Sequence, residues 1–166
     1  MAAPLLIEYL NRSKVLYKRT EHAVAYTAAE VAQTVHFHGR NFAKAVMVKV
    51  DEELSMIVLP AHYHVGCEEL AKTLHAERVR LSTEEEFNRR FPRCEIGALP
   101  PFGHLFGVQA YIAPVFDEAS AVAFTAGSHS EIIIMDFDHF SRLAHATPIQ
   151  TGVLPPNQPY SRAYAA

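Results

Sequence analysis

Residues 43–60 read AKAVMVKVDEELSMIVLP, and this stretch decides the fold class. Two runs rich in β-branched and apolar residues, 43–50 and 54–60, are separated by Asp51-Glu52-Glu53, a pattern that predicts a β-hairpin. Further runs at 15–19, 78–81, 108–115, 120–125 and 131–135 read as strands. Helical signals fall between some of them. Pro4 opens a helix over 4–11 with Leu5, Leu6, Tyr9 and Leu10 at helical spacing. Thr27-Ala-Ala-Glu30 is a capping box ahead of Val31 and Val35. Residues 67–75 and 136–145 are helical, and Ser82-Thr83-Glu84-Glu85 starts another helix with an acidic first turn. Because some strands are joined by helices and others by tight turns, the expected fold is mixed α/β. It should be a strongly curved, mixed, mostly antiparallel sheet surrounded by helices, not a regular doubly wound one.

The chain has 166 residues, enough for one domain with a real core. It is 49% hydrophobic and 20% charged, as soluble globular proteins are. No apolar run approaches the roughly 20 residues that cross a bilayer, and the amphipathic N-terminus reads as a helix, not a signal peptide. Cys67 and Cys94 form no pattern, so a reduced cytoplasmic protein is expected. The net charge of −3 argues against a broad grip on phosphate backbone. Residues 1–146 read as the folded domain and 147–166 as a tail, draped on the body or disordered. Pro155, Pro156 and Pro159 exclude a helix there.

Three segments stand apart from generic core. In 42–50, alternation puts Lys44 with Val46, Val48 and Val50 on one face and Lys49 on the other. Lys44 then either points inward at a strand end or snorkels to water. In 95–103, Gly97 and Gly103 bracket Pro100-Pro101, so the backbone is rigid yet able to adopt positive φ at its ends. That loop offers the amides of Gly97, Ala98 and Leu99 as donors and the proline carbonyls as acceptors, or is an ordinary tight connection. In 124–131, Gly127-Ser128-His129 is a small polar turn between strands, a common address for binding groups. Ser128-His129 is not a nucleophile pair, since adjacent residues seldom place the base against the hydroxyl. His36-Phe-His38 and His62-Tyr-His64 could each align two imidazoles, but the spacing matches no standard zinc pattern and no carboxylate accompanies them. No metal and no cofactor are expected. Glu84–Glu86 reads as a solvated helix start.

These three segments, in this order and spacing, resemble the YbaK/EbsC and ProX-like family, which includes the editing insertion domain of bacterial prolyl-tRNA synthetase and its free-standing relatives. The resemblance spans roughly residues 5–146. It rests on Glu21-His22 followed by Tyr26-Thr27, on Ala43-Lys44-Ala45-Val46, on Leu59-Pro60, on the 97–103 loop and on 126–131. It implies metal-independent hydrolysis of mischarged aminoacyl-tRNA, with the tRNA acceptor end as partner, an aminoacyl-tRNA synthetase as a further one, and neither DNA nor a membrane. Lys44 matches the family's essential lysine, and Gly97 and Pro101 match its G-x-x-x-P loop. Gly127, Ser128 and His129 match its substrate-pocket turn, with His22, Phe37, Ala45, Ala98 and Leu99 as further pocket residues. Many members carry Thr or Asn after the lysine, whereas Ala45 offers no side-chain hydrogen bond, so no single member's amino-acid preference carries over. A different class stays open beside the deacylase: a catalytically silent module that keeps the pocket to sense a small molecule or aminoacyl-tRNA.

Overall fold

The structure, a computed structural model, describes residues 3–34, 37 and 39–156. Val35, His36 and His38 of the sequence reading lie outside the described residues. The 43–60 stretch forms the expected hairpin of β2 (Phe42–Val50) and β3 (Glu53–Pro60), paired from Val50↔Glu53 to Ala43↔Pro60. Its turn is two residues rather than three. Asp51 and Glu52 both adopt positive φ, +48° and +67°, which matches the twist of antiparallel strands and lets Glu53 join β3.

The main sheet runs β1 (Tyr17–Glu21), β8 (Glu131–Asp136), β7 (Ala121–Thr125), β2, β3, β6 (Gln109–Ile112) and β9 (Thr147–Pro148), with β5 (Val79–Leu81) also paired to β2. Four of these pairings are antiparallel and three, β2 with β7, β3 with β6 and β6 with β9, are parallel. The mixed, mostly antiparallel sheet expected from the sequence is therefore present. A separate two-stranded ladder joins β4 (His64–Val65) to β10 (Val153–Leu154). Residues 147–154 of the expected tail thus lie along the body through β9 and β10, with Ile149 buried, and residues 157–166, with Pro159, lie outside the described residues.

Alternation along the strands sorts the core by face. One face carries Ala43, Met47, Met56, Val58, Phe124 and Ile133. It is covered by Leu6 and Leu10 of α1 (Pro4–Arg12), Phe87 of α4 (Glu84–Phe87) and Phe140 of α5 (Phe137–Leu143). The other face has two clusters. Val31 of α2 (Ala28–Thr34) packs with Phe42, Ala123 and Ile132. Leu70 of α3 (Cys67–Thr73) packs with Val48, Ile57 and Leu59. The predicted cap at Thr27 forms, and α4 carries a second. Glu30 N–H donates to Thr27 Oγ1 while the Glu30 carboxylate accepts from Thr27 N–H, and Thr83 and Glu86 repeat the arrangement at α4. Glu86 is also held by Arg80, so its carboxylate is a structural group.

Near the C-terminal end of α5, His104 stacks on His145 with ring centroids 4.3 Å apart and planes 8° from parallel, and Tyr9 meets His104 edge-on. Burial, and then the neighbouring His145, lower the His104 pKa below its ordinary value, with the Ala144 carbonyl opposing weakly. The fold therefore binds fewer protons here than the unfolded chain does. This stability is fully present above the unfolded pKa of about 6.5 and is lost as pH falls from there toward the lowered folded value. Thermal unfolding recorded from pH 7.5 to 5.5 should show the midpoint falling, with part of that fall absent in His104→Leu. An unchanged profile in the variant would assign the acid limb elsewhere.

Candidate active site

The site follows from how strands share one edge of β2. On the side away from β3, β7 pairs with β2 only at Phe42 and Ala43, in parallel, and β5 pairs only at Val48–Val50. Between them β2 has no strand partner, and Ser82 N–H reaches in to the Met47 carbonyl at 2.9 Å. β7 ends at Thr125 while β2 runs on to Val50, so a crevice opens past the carboxyl end of β7, beside the first half of β2. A cleft of about 280 Å³ occupies this gap, lined by Ala45, Val46 and Met47 of β2, by Leu81, Ser82, Glu84 and Phe87, and by Ile96, Gly97 and Leu99.

Lys44 is the first residue of β2 past its last pairing with β7, Ala43↔Phe124, and Thr125, buried, is the corresponding next residue of β7. Lys44 shares its face with Phe42 of one apolar cluster and Val46 and Val48 of the other, as the alternation predicted. It sits at the seam between two cores, where burial lowers its pKa. Ala45 and Met47 point to the opposite face. The lysine and the cleft-lining side chains thus approach the open edge of β2 from its two sides.

The 95–103 loop is clamped to the 127–129 turn. Gly127 N–H donates to the Ala98 carbonyl at 2.9 Å and Glu95 N–H to the Gly127 carbonyl at 2.8 Å. Glu95 Oε2 accepts His129 N–H at 2.9 Å, and His129 Nε2 lies 2.8 Å from the Ile96 carbonyl. A carbonyl only accepts, so Nε2 carries the proton. Gly97 has φ +86°, and a Cβ there would stand 3.3 Å from the His129 ring and 3.5 Å from the Tyr26 carbonyl. The amides of Gly97 and Leu99 find no acceptor among the described residues, whereas Ala98 N–H closes a turn on the Glu95 carbonyl. Two of the three expected donors are therefore available. The Pro100 carbonyl is not an open acceptor, because it receives Phe102 N–H at 2.8 Å. Pro101 lies in the buried half of the loop and Gly97 in the exposed half.

The remaining residues divide by element. The strand β1–β8 pairing continues past Glu21↔Glu131 through His22 N–H to the Ser130 carbonyl and Ala25 N–H to the His129 carbonyl. That continuation sets His22 and Tyr26 beside the turn, and the Tyr26 ring stands 5.0 Å from that of His129. Phe37 packs instead with the α2 cluster, on the Lys44 face. His129 emerges as a clamp on the loop as much as a pocket wall, and Glu95, which the sequence reading passed over, is its partner. An acid two residues before Gly97 was the available signal. His64 was read only as half of a possible metal pair. It is held in β4 next to Lys44, and burial, then the Lys44 charge, lower its pKa. No group of three metal-binding side chains occurs among the described residues. Replacing Glu95 with Ala removes an acceptor that is more than half exposed, worth about 1 kcal/mol. Glu95→Ala should therefore melt close to the wild type while the amide signals of Ile96–Leu99 shift in NMR, and unmoved signals would show that Glu95 does not hold the loop.

No curated protein matches the sequence. Solved structures share the fold at low identity. A candidate trans-editing enzyme for prolyl tRNA synthetase aligns with TM-score 0.74 and 19% identity over 92% of this chain and 100% of its own. A hypothetical protein aligns with TM-score 0.75 and 13% identity over 87% and 96%. A candidate signal transduction protein from Marinobacter aquaeolei VT8 aligns with TM-score 0.70 and 17% identity over 93% of this chain but 31% of its own. The model of the aminoacyl-tRNA editing domain matches residues 22–143, a span that holds Lys44, the 97–101 loop and the 127–129 turn, and the chain belongs to that family.

Proposed function

We propose that this protein is a free-standing aminoacyl-tRNA deacylase, a cytoplasmic, metal-independent ester hydrolase that removes a mischarged small amino acid from tRNA. The observation that most supports the reading is that the open edge of β2 carries a half-buried ammonium on one side and, across the cleft on the other, a loop with two amides unpaired among the described residues. An aminoacyl ester is already activated, so its hydrolysis needs orientation and stabilisation of the oxyanion more than a strong nucleophile. The Gly97 and Leu99 amides receive the carbonyl oxygen as it gains negative charge, each worth roughly 3 kcal/mol in the transition state. Lys44 stabilises the same charge or fixes the terminal ribose and phosphate. Attack, by water or first by the vicinal ribose hydroxyl, breaks the acyl–oxygen bond, and the ribose oxygen leaves with a proton. A cleft of about 280 Å³ selects by size. A methylene is worth only about 1–3 kcal/mol in such a pocket, so the enzyme rejects large residues and discriminates poorly among small ones.

The site lies within the first 146 residues. With a net charge of −3, the protein holds the acceptor end of tRNA locally, and an aminoacyl-tRNA synthetase supplies the rest of the recognition. Among the described residues no helix is long and apolar enough to cross a membrane. The test is deacylation of tRNAs bearing Ala, Ser, Cys and Thr, with and without a chelator. Chelator-insensitive turnover of one or two of these esters is expected. Turnover of none at high enzyme concentration would leave a silent binding module, and loss with chelator would overturn metal independence.

A further inference from the structure

Two buried side-chain atoms at the site, His22 Nε2 and Ser128 Oγ, have no hydrogen-bond partner among the described residues. Ser128 is 1% exposed. Buried polar atoms are nearly always paired, so two unpaired ones on segments that flank the 95–98 loop mark a place for a bound group. The chemistry of that group follows from the His22 tautomer. His22 Nδ1 lies 2.6 Å from the Ala23 carbonyl, which only accepts, so the neutral ring carries its proton on Nδ1 and presents a bare lone pair at Nε2. The Ser128 hydroxyl also accepts. The two residues sit on segments tied together by His22 N–H to the Ser130 carbonyl and Ala25 N–H to the His129 carbonyl, at 2.9 and 3.1 Å. Nε2 therefore calls for a donor, and the hydroxyl, which can donate or accept, is able to accept from the same group.

We infer that His22 Nε2 and Ser128 Oγ receive the α-ammonium group of the esterified amino acid, an inference that rests on the deacylase reading. The loop geometry supports the placement. The 95–98 segment is hydrogen-bonded to Gly127 in both directions. A carbonyl held on the Gly97 and Leu99 amides thus lies against the turn that carries Ser128. The α-amino nitrogen is two bonds from that carbonyl carbon and has three N–H donors, enough for both acceptors. The pair acts as a reader of the common part of every aminoacyl ester, leaving side-chain selection to the cleft.

The test uses two stable amide analogues, 3′-alanylamino-3′-deoxyadenosine and its isobutyryl counterpart, in which a methyl group replaces the ammonium. The wild type should bind the alanyl compound about tenfold or more tightly than the isobutyryl one. His22→Phe and Ser128→Ala should each shrink that preference, with His22→Asn, whose amide oxygen accepts, restoring part of it. Imidazole NMR should show His22 protonated at Nδ1 in the free protein and Nε2 responding to the alanyl compound alone. Equal binding of both compounds, or a preference untouched in His22→Phe and Ser128→Ala, overturns the inference while leaving the deacylase reading intact. Failure of the alanyl compound to bind overturns both.

Discussion

Lys44→Ala should lose deacylation by a factor of about 100 to 1,000, the usual effect of removing one well-placed group that stabilises developing negative charge. Lys44→Met should lose as much while melting no lower than the wild type. Burial at the seam of two apolar clusters disfavours the ammonium, and a methionine of similar length removes that cost. Lys44→Arg should not restore turnover, because a planar fork does not place its charge where an ammonium does. The pH dependence has a definite sign. The folded Lys44 pKa lies below its ordinary value of 10.5, so activity that needs the charged form declines as pH rises through the lowered value. Stability moves the other way, rising with pH between the folded and unfolded pKa as the cost of the buried charge disappears. Retained turnover in Lys44→Met would remove the lysine from the chemistry. A matching loss of stability would make its role structural.

The second large effect belongs to Gly97→Ala. At φ +86° an alanine is strained by about 1–2 kcal/mol. Its methyl group would also press on the His129 ring at 3.3 Å, with the Tyr26 carbonyl at 3.5 Å behind it. The imidazole must shift, and its bond to the Ile96 carbonyl shifts with it. The ring has to give by a few tenths of an ångström, and with the strained φ this misplacement of the donor loop should lower kcat about tenfold or more, more than the modest fall in melting temperature implies. Measuring both separates the effects. A variant that melts lower yet turns over normally would show that the Gly97 amide is not positioned for catalysis.

Local pattern carried much of the fold. The hairpin at 43–60, the capping box at Thr27–Glu30 and the alternation that turns Lys44 away from Lys49 were legible because each is set by neighbours in sequence. β1 lies two residues beyond its expected start, since pairing with β8 from Tyr17↔Met135 to Glu21↔Glu131 decides its limits while Leu16 stays 89% exposed. β4, β9 and β10 are two residues each and exist only through partners far along the chain, so no window of sequence could show them. The same holds in the site. Lys44 and the Gly97 loop stand out by composition, an unpaired lysine in an apolar strand and glycines around prolines. The clamp made by Glu95 and His129 spans 34 residues, and His64 reaches Lys44 through a turn at 61–63. The open edge of β2, which makes the crevice, is a property of strand order alone.

The central claim is that chemistry occurs at that open edge. It is tested most directly by amide NMR of the full chain, titrated with an acceptor-stem minihelix ending in a non-hydrolysable 3′-alanylamide. The account predicts that the shifts concentrate at Lys44–Met47 and Ile96–Leu99, at the open edge of β2, and at Gly127–His129, the turn clamped to that loop. Shifts centred on the outer edge of β1 or on the face covered by α5, with those segments unmoved, would contradict it.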